Sequence, residues 1–170
     1  MVIAIAAMVF QLVIGNMGAM IPARAMDAAA AEVVSQVDWL RSESRLQGKT
    51  YQLELELQGS RYRVIVPSVD RIAASEIVEE TFALGWSNLG DDVIIAGAGV
   101  AGERKFEEGM FRIALDENGF TADQSIHLVH TGDAQMVWSI QIRGLTGQSE
   151  IIKSYDGTQH TLRPQEEGSF

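Results

Sequence analysis

The sequence predicts an α+β protein in which a long N-terminal helix packs on an antiparallel β-sheet or sandwich. Three observations predict this fold class. Residues 1–23 carry no charged side chain, residues 24–48 repeat apolar residues at helical spacing, and residues 49–155 alternate apolar and polar residues between turn signals. The 170 residues suit one domain of ordinary size, or a smaller domain with an appendage.

Residues 1–23 fit a membrane-spanning helix, because an uncharged run of this length matches the roughly 20 residues that a bilayer core requires. Two alternatives stay open. Ala23-Arg24-Ala25 fits the A-x-A cleavage site of a signal peptide, although a basic n-region is missing. The other alternative is a buried core helix. Gly15 and Ala19 form a small-xxx-small pair that would let another helix approach closely.

Residues 24–48 are predicted to continue the helix in amphipathic form. Apolar residues recur every three or four positions and therefore share one face; they are Met26, Ala30, Val33, Val37 and Leu40. Trp39 and Leu46 are expected to widen this face, and Gly48 is expected to cap the helix. We predict that the β domain docks on four residues of this helix: Val33, Val37, Trp39 and Leu40.

The β domain is predicted over residues 49–155. Residues 51–66 alternate around a turn at Gly59-Ser60, which predicts a hairpin with Glu54 or Glu56 paired to Arg61 or Arg63. Residues 67–92 lack a clean period and are interpreted as a packed connection supported by Leu84, Trp86 and other large apolar residues. Several short strands follow, and residues 156–170 are predicted to be a flexible tail.

The charge distribution excludes some classes of partner. The net charge is −10, and residues 1–48 hold three basic and four acidic side chains, so nine net negative charges fall in residues 49–170. Such an acidic body is poorly suited to nucleic-acid phosphates or anionic lipids. The chain has no cysteine, which excludes disulfides, thiol catalysis and cysteine metal sites.

One motif suggests a nucleotide site. Gly97, Gly99 and Gly102 spell G-x-G-x-x-G, and Asp116 follows near the position of a ribose-binding acid. The next segment, "ERKFEEGM", is too short and too polar for the crossover helix of a dinucleotide fold. The three glycines are therefore predicted to form a mobile loop between strands.

No residue is assigned to catalysis, to a cofactor or to a metal. His127 and His130 are three apart in a predicted strand, so they point to opposite faces and cannot share a metal. The sequence "DENG" at 116–119 is interpreted as a hairpin turn, because its glycine comes too early for a calcium loop and no glutamate closes one.

Three segments, in this order along the chain, resemble segments of a known family. They are the apolar run "MVIAIAAMVFQLVIG", the stretch "VVSQVDWLRSESRLQGKTYQLEL" at 33–55, and the pattern that starts "FRIALDENGFTADQSIHLVH" and ends "MVWSIQIRGLTGQSEI". Together they resemble the H-type minor pseudopilins of type II secretion systems, in the type IV pilin-like superfamily. In that family an A-R-S-E-A-like sequence leads into the first strand. Here it is Leu40-Arg41-Ser42-Glu43-Ser44.

The resemblance implies a structural subunit and no enzyme activity. It implies a single-pass protein of the bacterial inner membrane with a periplasmic head. The expected partners are other pseudopilins or pilins, reached through helix packing, and the inner-membrane assembly platform, with no cofactor, nucleic acid or small-molecule ligand. The packing residues would be Val9, Leu12, Val13, Gly15 and Ala19.

The sequence departs from the family in two places. The basic leader, the glycine at the processing site and the following glutamate are not present before the apolar run. Either the start was assigned too late, which we favour, or the chain is a nonfunctional variant. "LTGQ" at 145–148 stands where Gly-Arg is frequent. Other hypotheses are a minor type IV pilin for adhesion, motility or DNA uptake, a dinucleotide-binding enzyme, and a membrane-tethered β-domain sensor.

Overall fold

Helix α1 covers Val2–Gln47 in the computed structural model, which describes residues 2–67 and 81–163, and the side chains of residues 22–67 and 83–163. At 1.5 Å per residue its 46 residues extend about 70 Å. The helix continues through Pro22, whose ring removes one backbone donor. It ends where Gly48 adopts a φ of +60° and Lys49 N donates to Ser44 O at 3.2 Å. The predicted glycine cap is confirmed.

Nine strands follow α1 within the described residues. They are β1 (Tyr51–Leu57), β2 (Arg61–Pro67), β3 (Thr81–Ala83), β4 (Ser87–Asn88), β5 (Val93–Val100), β6 (Gly109–Leu115), β7 (Gln124–His130), β8 (Asp133–Ile142) and β9 (Ser149–Ser154). The first sheet has the order β3-β2-β1-β6, with β4 also paired to β2, and the second sheet has the order β5-β7-β8-β9. Every strand pairing in the described part of the chain is antiparallel, as the alternating sequence predicts.

The predicted hairpin is confirmed as β1 and β2. Its strands pair Glu54 with Arg63 and Leu55 with Tyr62. The turn between them is hydrogen-bonded to the second sheet, since Gln58 N donates to Ile95 O at 2.8 Å. Gln58 adopts a φ of 62°, and its side chain donates to two further backbone carbonyls, which holds this strained residue in place.

The "DENG" segment forms a turn but not a hairpin. Asp116 Oδ1 accepts hydrogen bonds from Asn118 N at 2.9 Å and from Phe120 N at 2.8 Å, and Gly119 has a φ of +75°. The strands on either side belong to different sheets, because β6 pairs with β1 whereas β7 pairs with β5 and β8. The turn therefore carries the chain from one sheet to the other, and the hairpin prediction is wrong.

The core lies between α1 and the inner faces of both sheets. Helix α1 contacts β1 and β6 of the first sheet and β5, β7 and β8 of the second sheet. The largest fully buried side chains come from all three layers; they are Trp138, Met26, Leu40, Leu53, Leu55, Ile95, Ile113, Leu115, Ile126, Leu128, Ile140 and Ile142. This arrangement is the helix-on-antiparallel-sheet fold that the sequence predicts.

Two predictions about irregular segments need correction. Of residues 67–92, positions 68–80 lie outside the described part, and in the remainder Leu84 and Trp86 are 49% and 36% exposed instead of buried. Residues 156–163 were predicted to be a flexible tail. They run along the second sheet instead, where Leu162 N donates to Ser125 Oγ at 2.7 Å and the Leu162 side chain is buried. Residues 164–170 lie outside the described part of the chain.

Candidate functional site at the helix-to-head junction

The amphipathic half of α1 packs through one continuous apolar face on the two β-sheets, which together form the head. Val33, Val37 and Leu40 are each at most 1% exposed and belong to the same buried cluster as both sheets. Met26 and Ala30 extend this face toward the N-terminus and are fully buried. The spacing of three and four residues therefore places all five side chains on the face that meets the sheets.

Trp39 lies outside this core, which corrects its predicted packing role. Its side chain is 46% exposed, and Leu46 is 78% exposed. At about 100° per residue, Trp39 is rotated roughly 200° from Val37 and so points away from the sheets. Trp39 instead borders a groove of about 410 Å³ between α1 and the first sheet, together with Tyr62 and Leu84.

The predicted assembly residues belong to the other half of the helix. Val9, Leu12, Val13, Gly15 and Ala19 lie on the backbone of α1, but their side chains are outside the described residues, so their role stays a prediction. Among the residues that the structure describes, no helix has a stretch both long and apolar enough to cross a bilayer.

The arginine of the Leu40–Ser44 stretch anchors the C-terminal end of α1. Arg41 is only 7% exposed, and its Nη2 donates to Gly144 O at 3.1 Å. Burial lowers the pKa of its guanidinium, and the neighbouring Arg45 adds to this effect. An added Cβ on Gly147, which has a φ of +77°, would lie 1.4 Å from Arg41 Nη1. The loop at 144–147 therefore needs glycine where it closes over this side chain.

A second loop holds the same end of the helix. Arg45 Nε donates to Asn118 O at 2.8 Å, in the turn that links the two sheets. An added Cβ on Gly119 would lie 2.8 Å from Arg45 Nε and 3.0 Å from Arg41 O. Ser44 is fully buried beside these residues and donates to Arg41 O at 3.0 Å. The Leu40–Ser44 stretch is thus the place where the helix, the sheet-linking turn and the loop before β9 meet.

The N-terminal end of the docked segment is held by Asp27, whose role the sequence did not reveal. Asp27 Oδ1 accepts hydrogen bonds from Lys153 Nζ and from Trp138 Nε1, both at 2.7 Å. These two bonds lower the pKa of the Asp27 carboxyl. Since Trp138 lies 111 positions away, no local sequence pattern could have indicated this contact.

Glu54 is the buried charge of the first sheet. Alternation along β1 places it on the same face as the polar Gln52 and Glu56, but its side chain is 1% exposed because two arginines cover it. Arg63 Nε donates to Oε2 at 2.5 Å and Arg112 Nε donates to Oε1 at 2.7 Å. Burial opposes ionisation, but the hydrogen bonds from Arg112 and Arg63 outweigh it and lower the pKa of Glu54. The predicted cross-strand pairs are confirmed, since Arg61 also pairs with Glu56 at 2.6 Å.

The glycine motif has a packing role instead of a loop role. Gly97 and Gly99 lie within strand β5, and Gly102 follows in a turn with a φ of +81°. An added Cβ would lie 2.9 Å from Phe106 O at Gly97 and 3.2 Å from Lys105 Cα at Gly99. These two glycines therefore let the following backbone cross closely over the strand, and the mobile-loop prediction is wrong for them.

The surroundings of the motif differ from a dinucleotide site. The next element after Gly102 is strand β6, and both flanking strands have antiparallel partners. The βαβ unit that places a pyrophosphate at a helix N-terminus is therefore not formed around these glycines.

The histidines occupy different environments. His127 is fully buried on β7, whereas His130, three residues later, is half-buried and accepts a hydrogen bond from Gly132 N at 3.1 Å. Within residues 2–67 and 81–163, no three His, Asp or Glu side chains form a group that could hold a metal ion.

The fold has solved counterparts. The chain is similar to the solution structure of E. coli GspH, with a TM-score of 0.55 and 11% identity over 77% of this chain and 89% of that one. It is also similar to the crystal structure of the minor pseudopilin EpsH from the type II secretion system of Vibrio cholerae, with a TM-score of 0.52 and 13% identity over 74% of this chain and 91% of that one. The chain has the fold of an H-type minor pseudopilin. No protein-family model and no curated protein matches the chain.

The pseudopilin fold agrees with the resemblance found in the sequence. The Leu40–Ser44 stretch that carries the resemblance is also the stretch where Arg41 and Ser44 are buried against the head. The stretch on which the sequence resemblance rests is therefore part of the contact between α1 and the two sheets.

Proposed function

We propose that the protein is a structural minor pseudopilin of a type II secretion system, which assembles through its N-terminal helix and assists the export of folded proteins. The observation that carries this proposal is the pseudopilin fold itself, with α1 docked on an antiparallel head. Residues 1–23 carry no charge, whereas residues 24–48 present one apolar face to the sheets, and the uncharged part is proposed to meet other subunits.

The same division of the helix supports a proposed location. An uncharged helix segment of this length suits the inner membrane before assembly, with the acidic head in the periplasm. In the assembled polymer the apolar segments would pack against each other, and close approach would be favoured by Gly15 and Ala19. The partners are then other pseudopilins and the assembly platform in the membrane.

Site-specific photo-crosslinking in the host bacterium tests this assembly. A photoreactive amino acid at Val13 is expected to capture other pseudopilin subunits in the membrane fraction. The matched control places it at Leu145, a head residue that is 74% exposed, where capture of the same subunits is expected to be weak. Equal capture from both positions, or a chain found only in the soluble periplasmic fraction, would contradict assembly through α1.

A deletion strain tests the process that the protein serves. Loss of the gene is expected to reduce secretion of folded proteins into the medium, and the wild-type gene but not Val13→Arg is expected to restore it. Leu46→Arg is the control, because Leu46 is 78% exposed and a charge there is solvated. Normal secretion combined with loss of surface pili would assign the chain to a type IV pilus instead.

A further inference from the structure

Three polar side chains are buried on the outer face of the second sheet. Ser125 and His127 lie on β7, and Ser139 lies on β8, with exposed fractions of 3%, 0% and 0%. Two segments cover them. One is the segment around Lys105, which crosses over β5, and the other is residues 156–163, which we call the C-terminal strap.

The strap is fastened to the sheet mainly through polar contacts on either side of His127. His160 N donates to Ser139 Oγ at 2.9 Å, and Leu162 N donates to Ser125 Oγ at 2.7 Å. Lys105 Nζ reaches the strap from the other covering segment and donates to Gln159 Oε1 at 2.5 Å. The apolar part of the attachment comes from Leu162, which is 4% exposed.

His127 shares a hydroxyl with the strap. Its Nδ1 lies 3.0 Å from Ser139 Oγ, the same oxygen that accepts the His160 amide. Because the serine hydroxyl has one proton, it can accept from His160 and donate to an unprotonated Nδ1. Nε2 is then protonated, and it is buried without a hydrogen-bond partner among the described residues. A second proton on the ring would remove the acceptor that Ser139 uses.

Burial and the basic groups near the ring disfavour this second proton. Lys105 lies on the covering segment and His160 on the strap, while β5 contributes the uncharged Gly97 opposite His127 and β8 contributes Ser139. Glu107 is ion-paired with Lys105 at 2.7 Å. Burial, with smaller contributions from Lys105 and His160, lowers the pKa of His127 to about 4 from its ordinary value of 6.5.

We propose that His127 is a pH-operated latch whose protonation releases the C-terminal strap from the second sheet. The neutral ring completes the polar contacts beneath the strap, whereas the charged ring removes an acceptor and places a cation beside Lys105 in a buried site. Release would uncover Ser125, His127 and Ser139 on the side of the strap, while the segment around Lys105 would still cross over β5. The strap is therefore held at neutral pH and loosened in acid.

The direction and size of the effect follow from linkage. Because the pKa of His127 is lower in the closed state than in the released state, closure is fully favoured above about pH 6.5 and weakens as the pH falls toward 4. With these two pKa values, the released population rises about 20-fold between roughly pH 7 and pH 5.

Amide hydrogen exchange of the full chain, kept in solution with a mild detergent, tests this latch. The reporters are the amides of His160 and Leu162, which bind the two serines, and the control amides are those of Ile126 and Leu128 inside β7. After correction for intrinsic exchange rates, strap protection is expected to fall about 20-fold from pH 7 to pH 5 while the β7 amides stay protected. An equal loss at all four amides would be general unfolding and would overturn the proposal.

Three variants test whether the pH dependence of strap protection comes from the His127 ring. His127→Asn keeps a polar group near Ser139 but cannot titrate, so the pH dependence of strap protection is expected to disappear even if the variant is less stable. His130→Asn, on the same strand, and His160→Asn, on the strap, are expected to keep it. A pH dependence that survives in His127→Asn, or that disappears in His160→Asn, would refute the latch.

Discussion

Replacing Leu40 by alanine tests whether the head is held by the buried face of α1. Leu40 is fully buried within the core shared by both sheets. The change removes three carbons, which is about 2.4 kcal/mol of transfer free energy at about 0.8 kcal/mol per methylene. The cavity left behind raises the expected loss of unfolding free energy to about 3–4 kcal/mol. For a chain of this size, the melting temperature should fall by about 10 °C.

The matched control is Leu46→Ala on the same helix. Leu46 is 78% exposed, so the same chemical change there should alter the unfolding free energy by less than about 0.5 kcal/mol. Urea denaturation followed by circular dichroism measures both variants, and equal slopes against denaturant would show that the extent of unfolding is unchanged. Equal losses in the two variants would refute the docking of the head on this face.

The remaining predictions concern the buried ion pairs and the helix anchor. Glu54→Gln should lower the unfolding free energy by about 2 kcal/mol at neutral pH, and Glu56→Gln should lower it less, because Glu56 has one arginine partner and is more exposed. Since folding lowers the pKa of Glu54, its contribution to the unfolding free energy is present above about pH 4.5 and is lost in more acidic solution. Below that pH the unfolding free energy of Glu54→Gln should therefore change less with pH than that of the wild type. Parallel curves for the two proteins would contradict this. Gly147→Ala should cost about 2–3 kcal/mol, because of its positive φ and the contact with Arg41, whereas Gly85→Ala, with open space around it, should be neutral in thermal melts.

Local periodicity was sufficient to predict the docked half of α1 and the first hairpin. The three- and four-residue spacing of Val33, Val37 and Leu40 predicts a buried helix face, and the structure buries all three. The two-residue alternation after Gly48 predicts β1 and β2 together with their cross-strand ion pairs. These features depend on neighbours only a few positions apart, which is why one sequence reveals them.

Contacts between distant segments were not predictable in the same way. Trp39 was expected to widen the docking face together with Leu46, seven positions later, although its angular position turns it away from the sheets. The burial of Glu54 was not predicted, because the alternation gives its face of the strand but not the arginine that β6 brings over it. The turn at 116–119 was recognised from its residues, but whether it joins neighbours or changes sheets depends on the pairing of the whole strand.

The candidate site likewise has a part that the sequence predicted and a part that depends on contacts between distant segments. The sequence pointed to the Leu40–Ser44 stretch through family resemblance, but it did not show that Arg41 is buried beneath Gly144 and Gly147. Likewise, the strand position of His127 was visible, while its cover by residues 156–163 depends on a segment that has no periodic pattern. The side chains of Val9 and Val13 lie outside the described residues, and their role rests on the proposed function.

The attachment of the last helical turn has a mechanical consequence. Arg45 holds the turn that joins the two sheets, and Arg41 holds the loop before β9. A pulling force along α1 would therefore be divided between two separate connections of the head instead of loading one strand. Tension that arises at the N-terminal half of α1 would reach both sheets together, and the two sheets would move with the helix as one unit.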